Sequence, residues 1–301
     1  MEAMNGFTKG LPSALARKAN ASRINSLRNG RSNGLHPTAE RLSRRFKSLG
    51  MTALLPAAVL MLWWLLGQLD LLNPYLTPPP GEVWRAALES AASSELWQHT
   101  WVSLARVFGG FALTSALALP LAALLYFLPW LERMLAVPLE FIRVTPPLAA
   151  IPLLILWFGI GEGSKLAIII LASFFPIFLN VKEGLKNTDA GLLEMAETID
   201  LTRWDAFRHV LLPSALPSVI TGLRIGFGYS WRALIGAELI AAASGLGYMI
   251  LDAEELARTD RVFLGIFVIG GLGYTFDALF SRMAAGLSQS LHLVRGDGGA
   301  S

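Results

Sequence analysis

Residues 182–213 read KEGLKNTDAGLLEMAETIDLTRWDAFRHVLLP, the longest polar stretch of the chain outside its two ends. Charges recur at Glu183, Lys186, Asp189, Glu194, Glu197, Asp200, Arg203, Asp205 and Arg208. Apolar residues nevertheless fall at helical spacing: Leu192, Leu193, Ala196 and Ile199, then Trp204, Phe207 and Leu211. A loop has no reason to keep that period, so the pattern predicts one or two amphipathic helices. Leu212-Pro213 is expected to end them, because proline has no N–H to give to a continuing helix. Long apolar runs flank the stretch on both sides, which makes it a helical projection from a membrane-spanning bundle.

Composition agrees with a bundle of that kind. Of 301 residues, 53% are hydrophobic and only 16% charged, with a mean hydropathy of +0.50; soluble domains average about a quarter charged. Cysteine is absent, which removes disulfides, thiol catalysis and thiolate metal sites together. The net charge of +3 is unevenly spread. Residues 1–47 hold Lys9, Arg17, Lys18, Arg23, Arg28, Arg31, Arg41, Arg44, Arg45 and Lys47 against Glu2 and Glu40 alone. This reads as a basic, disordered cytoplasmic tail ahead of a first span. Phe46 is the only Phe, Tyr or Trp between Lys9 and Lys47, which is not the repeated aromatic interleaving of a nucleic-acid surface, and no nucleic-acid partner is expected.

Six spans are expected, at about 48–69, 102–128, 134–158, 164–181, 214–241 and 262–283. The first is too long for a signal-peptide core and is read as retained. A short amphipathic helix is expected over 81–92. Pro146-Pro147 must kink the third span, and such a break survives at membrane depth only where protein or a cavity satisfies the freed carbonyls. Segment 243–261 reads as a short loop and 286–301 as a polar tail, leaving 48–285 as the transmembrane domain. With the basic tail inside, 182–213 and the C-terminus are cytoplasmic while 70–100 and 243–261 face outward.

Catalytic constellations are missing. His36, His99, His209 and His292 are isolated, and neither a His-Glu-x-x-His helix nor a Gly-x-Ser-x-Gly elbow occurs. Gly159–Lys165 lacks the Gly-Lys-Ser/Thr order of a phosphate loop. No catalytic residue, metal or cofactor is expected, and the chain is not read as an enzyme.

Leu193-Glu194-Met195-Ala196-Glu197-Thr198-Ile199-Asp200, followed by Val210-Leu211-Leu212-Pro213, resembles the EAA loop of binding-protein-dependent ABC importer permeases. That loop reads Glu-Ala-Ala, three residues, Gly, nine residues, Ile-x-Leu-Pro. Glu194 and Ala196 match, Met195 departs, Asp200 stands where the family has Gly, Val210 replaces Ile, and Leu212-Pro213 matches. Asp tolerates the left-handed backbone that Gly supplies there better than most residues do. Pro146-Pro147-Leu148-Ala149, Phe174-Phe175-Pro176, Gly222-Leu223-Arg224, Ala237-Glu238-Leu239 and Ser244-Gly245-Leu246-Gly247-Tyr248 look like the alkanesulfonate, taurine and nitrate branch.

The resemblance implies an all-α, type I ABC importer permease in the bacterial inner membrane. It also implies a second permease copy or a paralogous one, two ATP-binding cassette subunits that bind the ATP, and a periplasmic or lipid-anchored binding protein. Glu194, Ala196, Asp200, Leu212 and Pro213 would couple the chain to the ATPase, with Leu192, Leu193 and Ile199 filling a groove in it. The ligand would be a small anion such as a sulfonate, taurine or nitrate. A vitamin precursor carried by the same kind of permease is the alternative, and a stand-alone secondary transporter the more distant one.

The fifth span carries charge at membrane depth. Wound at 100° per residue, Gly222, Gly226, Ser230, Ala233, Ala237 and Ala241 share one face suited to close packing, and Arg224, Trp231 and Glu238 form a stripe opposite. A charge at that depth costs about 2.5–3.5 kcal/mol and calls for a partner or a pathway. Arg224 is paired by depth with Asp277, and Arg224, Glu238 and Asp277 are read as structural. Arg143, Arg232 and Trp231 are the pathway candidates.

Overall fold

A computed structural model of the chain describes residues 54–73 and 75–296. The basic tail, and residues 48–53 of the first expected span, lie outside them. Every regular element among the described residues is a helix. The chain divides into two compact units at Leu65 and Leu66. The apolar helix α1, Leu54–Gln68, spans that division. The second unit carries α2 (Pro80–Ala92), α3 (Glu95–Phe127), α4 (Pro129–Val144), α5 (Ile151–Phe158), α6 (Glu162–Lys186), α7 (Ala190–Thr198), α8 (Arg203–Ala206), α9 (Leu212–Ala241), α10 (Leu246–Glu255) and α11 (Thr259–Gly296).

Four stretches of helix are long and apolar enough to cross a membrane: α3, α6, α11, and the stretch Arg203–Glu255 that contains α9. The third expected span is broken, with α4 and the segment Pro147–Phe158 meeting at 89°. Thr145-Pro146-Pro147 explains the size of the break. Each proline drives the residue before it out of the helical region, and Thr145 (ψ 122°) and Pro146 (ψ 124°) are both extended. Glu132 of α4 meets Lys182 at 2.7 Å and Lys186 at 3.0 Å near the far end of α6. From α5, the turn at Gly159 (φ +76°) leads straight into the start of α6. The bent pair therefore takes the chain from one end of α6 to the other, as a single broken crossing.

At the centre α6 lies between α3 and α9. Small residues permit the approach. A Cβ added to Gly110 would sit 2.7 Å from Cγ2 of Ile169, and one on Gly222 would sit 2.8 Å from Cβ of Asn180. Gly222, Gly226, Ser230, Ala233 and Ala237 are all buried, and Gly226 faces Ile177 and the Ser173 carbonyl of α6. The hydroxyl of Ser173 donates to the Ile169 carbonyl (2.7 Å) and lies 3.1 Å from the hydroxyl of Thr114 of α3. Close packing and interhelical hydrogen bonds are the forces available in lipid, where apolar burial between helices gains little.

Three expectations change. Leu212-Pro213 does not end the amphipathic segment: a π-turn at Phe207–Leu211 joins α8 to α9, and the Leu212 N–H bonds the Phe207 carbonyl. The wider turn falls just ahead of Pro213, where a regular α-turn would set the proline ring against the carbonyl four residues back. Segment 243–261 is not simply a loop but holds α10, whose buried Leu246, Met249 and Ala253 repeat at helical spacing. Finally, α11 continues to Gly296, inside the stretch read as a polar tail.

Candidate coupling loop and intramembrane charges

Between α6 and α9 the chain makes a compact projection. Asp189 caps α7 by accepting the Gly191 N–H at 2.8 Å. The helix ends in a Schellman turn: Leu201 N–H bonds the Ala196 carbonyl (3.1 Å) and Asp200 N–H the Glu197 carbonyl (3.0 Å). That motif requires a left-handed residue after the cap, and Asp200 takes it with φ +53°. Thr202 then caps α8 by accepting the Asp205 N–H.

The projection has an inner and an outer side. Ala196 is buried, and Leu193 packs on the core cluster of Ile177, Phe178, Leu211 and Ala215. A cavity of about 360 Å³ opens here between Tyr126 and Phe127 of α3 and Leu193, Ala196, Glu197, Leu201 and Arg203 of the projection. Leu193 therefore faces its own bundle. Glu194 is exposed, and so are Met195, Ile199 and Trp204, at 53%, 60% and 66%. Leu212 and Pro213 are exposed at the start of α9.

Inside the spans the charges separate into three places. Arg224 of α9 grips Asp277 of α11 with two hydrogen bonds of 2.8 Å. Beside them a cavity of about 400 Å³ is lined by Arg224, Trp231, Arg232, Tyr274 and Asp277, among others. Arg232 lies over the Tyr229 ring at 5.7 Å and forms no ion pair among the described residues. Trp231 is largely packed: its indole N–H reaches the Ile269 carbonyl at 3.3 Å, and Phe276 lies edge-on to its ring. Arg143 is elsewhere. It pairs with Glu140 one turn earlier on α4 and borders a different cavity of about 160 Å³ with Glu132 and Lys182. Arg143 and Arg232 are thus not brought together.

Glu238 is the third place. It is fully buried and does not share the half-open surface of Arg224. Arg106 of α3 donates to it at 2.8 Å, Ser103 Oγ at 2.8 and 2.9 Å, and the Gly247 N–H at 3.0 Å. Arg106 also grips Glu162 of α6 through Nε (2.8 Å) and a terminal nitrogen (2.7 Å). It completes its set on the Ser244 carbonyl (2.5 Å) and hydroxyl (3.0 Å). All five guanidinium donors are used. Lys165, itself buried, reaches Glu162 at 3.3 Å. Sequence reading missed Ser103, Arg106, Glu162 and Lys165. The available signal was Ser103 and Arg106 three apart on one helix face just before a charge-free run.

Comparison with known proteins gives a consistent answer. Residues 110–289 match the family described as binding-protein-dependent transport system inner membrane component. The chain is 38% identical over 242 residues to the Escherichia coli (strain K12) protein SsuC, assigned as an aliphatic sulfonates transport permease, covering 79% of this chain and 92% of that one. It is 36% identical over 226 residues to the taurine transport system permease protein TauC of the same organism, covering 73% and 82%. A solved chain of the inward-facing MetNI methionine ABC transporter shares the fold, with TM-score 0.56 at 20% identity over 64% of this chain and 97% of that one. A multi-pass, non-catalytic helical bundle with this loop is the membrane half of a machine whose ATPase and substrate-binding parts are separate subunits. The chain belongs to the ABC importer permeases, the inner-membrane components of binding-protein-dependent transport systems.

Proposed function

We propose that this permease pairs with a second copy of itself and, driven by two ATPase subunits, admits a small anion handed over by a binding protein. The observation that carries the reading is the projection at Asp189–Pro213. Its inner side is packed on the bundle, while Glu194, Met195, Ile199 and Trp204 stand outward. A rigid helix with an exposed apolar and acidic surface is what a soluble ATPase needs in order to push on a membrane bundle. The contact surface is Met195, Ile199 and Trp204; Leu193, turned inward, takes no part. Asp200 and the Leu212-Pro213 junction fix the angle at which the helix stands. This end faces the cytoplasm, as the basic N-terminal tail requires under the positive-inside rule.

The anion is a sulfonate or a chemical relative of one, by likeness to SsuC and TauC. Its path follows the face of α9 and α11 that carries the Arg232 cavity. Arg232, the guanidinium there that makes no direct ion pair among the described residues, is the group with charge to offer, and aromatic walls suit a ligand with a carbon tail. The Arg224–Asp277 pair beside it is neutral overall and serves structure.

Glu194→Lys tests the coupling assignment. In the complex reconstituted with its ATPase and loaded binding protein, uptake and stimulated ATP hydrolysis should both fall severalfold while the permease still assembles in the membrane. Unchanged uptake and unchanged stimulation would refute it.

A further inference from the structure

The buried network around Glu238 lies at the opposite end of the bundle from the projection. From Leu212 to Glu238 the helix climbs about 39 Å at 1.5 Å per residue. What the network holds there is α10. The first N–H groups of a helix have no partner of their own, and Gly245, at the head of α10, has no side chain with which to cap them. Other helices supply the cap: Gly245 N–H donates to His99 Nδ1 (3.0 Å), Leu246 N–H to Ser103 Oγ (2.8 Å), and Gly247 N–H to Glu238 (3.0 Å). The Glu238 carboxylate thus sits at the positive end of the α10 dipole, which favours it, with Arg106 on its other side.

Two glycines exist for this contact. Gly245 has φ +118°, and a Cβ there would overlap the Glu238 carboxylate; a Cβ on Gly247 would lie 2.6 Å from the Cβ of Glu238. The only covalent link between α9 and α10 is the short stretch 242–245, which would allow hinging if nothing else tied the two helices. Removing one partner from a buried charge pair leaves the other uncompensated, so such a contact resists opening. Meanwhile α9 is helically continuous with the projection through the π-turn.

We propose that Glu238 is a positioning residue that clamps α10 onto α9, so that α9, moved at the projection, carries α10 with it. Glu238 acts through Ser103, Arg106 and the Gly247 N–H, and touches no transported ligand. α10, with exposed Glu254 and Glu255, is then the surface through which the ATPase-driven movement reaches the side where ligand is delivered. This rests on the reading of the projection as the ATPase contact, and the test separates the two.

The chain has no cysteine, so single cysteines can be labelled with an environment-sensitive dye before assembly. One reporter is placed at Glu255 on α10 and another at Arg208 on the projection. The full complex is trapped with ATP and vanadate, and fluorescence is compared with the nucleotide-free state. In the parent both reporters should respond. In Glu238→Gln and in the milder Ser103→Ala, the Arg208 reporter should still respond while the Glu255 response falls to the nucleotide-free level. Ser103→Ala guards against a variant that simply fails to fold. If thermal stability drops but the Glu255 response survives in Ser103→Ala, the cluster is only structural and the proposal is overturned. If the Arg208 reporter is silent in the parent, the projection is not where the ATPase acts, and both readings fall.

Discussion

The Arg224–Asp277 pair lends itself to a double-mutant cycle. Its two 2.8 Å hydrogen bonds are parallel and bidentate, the geometry in which an arginine–carboxylate contact is strongest. An unpaired charge at membrane depth costs about 2.5–3.5 kcal/mol. The two side chains are 40% and 58% exposed, so water and neighbouring protein reduce that cost. Arg224→Gln or Asp277→Asn alone should therefore destabilise the detergent-solubilised permease by about 2 kcal/mol, somewhat below that range. For a chain of this size that lowers the unfolding midpoint by roughly 4–8 °C. The double variant carries two neutral amides that still hydrogen-bond, so it should recover most of the loss and retain uptake. The assay is thermal unfolding followed by size-exclusion fluorescence, with uptake measured in parallel. Simple additivity of the two single losses would refute the pairing as an energetic unit. A stable double variant without uptake would place the pair in the pathway instead of the scaffold.

Other substitutions separate the remaining roles. Arg232→Gln should depress anion uptake severalfold with assembly intact, whereas Arg143→Gln, already paired with Glu140, should leave uptake nearly unchanged; a reversed order would move the pathway to the α4 side. Asp200→Gly should preserve or slightly raise thermal stability, while Asp200→Val, forced to φ +53°, should lower it by about 1–2 kcal/mol; equal stability of the two would contradict the Schellman turn. Cysteines at Ser93 and Glu254 should react in intact cells with an impermeant thiol reagent and one at Asp189 should not; labelling at Asp189 would invert the orientation.

Local order was open to sequence reading, and contacts between distant segments were less so. The apolar runs of α3, α6, α9 and α11 announce themselves by length, and α7 by its period. The left-handed turn at Asp200 is implied only by the resemblance to the EAA loop, where Asp200 stands in the place of Gly, whereas depth along two helices is enough to set Arg224 opposite Asp277. Glu238 is the contrary case. Its partners Ser103 and Arg106 lie 135 and 132 residues away, and no periodicity in α9 indicates that this position is sealed by α3. The burial of Gly222, Gly226 and Ala237 against α6 tells where α9 packs. It does not tell that α10 folds back over Glu238, because ten residues that open on Gly245 and Gly247 look like a loop. The π-turn before Pro213 was hidden for another reason: proline usually ends a helix, and here one wide turn absorbs it. At Thr145-Pro146-Pro147 a kink was plain, but its 89° depends on two consecutive extended residues.

The most direct measurement is ATP-driven uptake by proteoliposomes containing the permease, its ATPase and its binding protein, with taurine or an alkanesulfonate as the labelled solute. An importer permease coupled at the projection predicts accumulation that needs both ATP and the loaded binding protein, and that collapses in Glu194→Lys. Accumulation by the permease alone, driven by an ion gradient and indifferent to ATP and to Glu194→Lys, would contradict it.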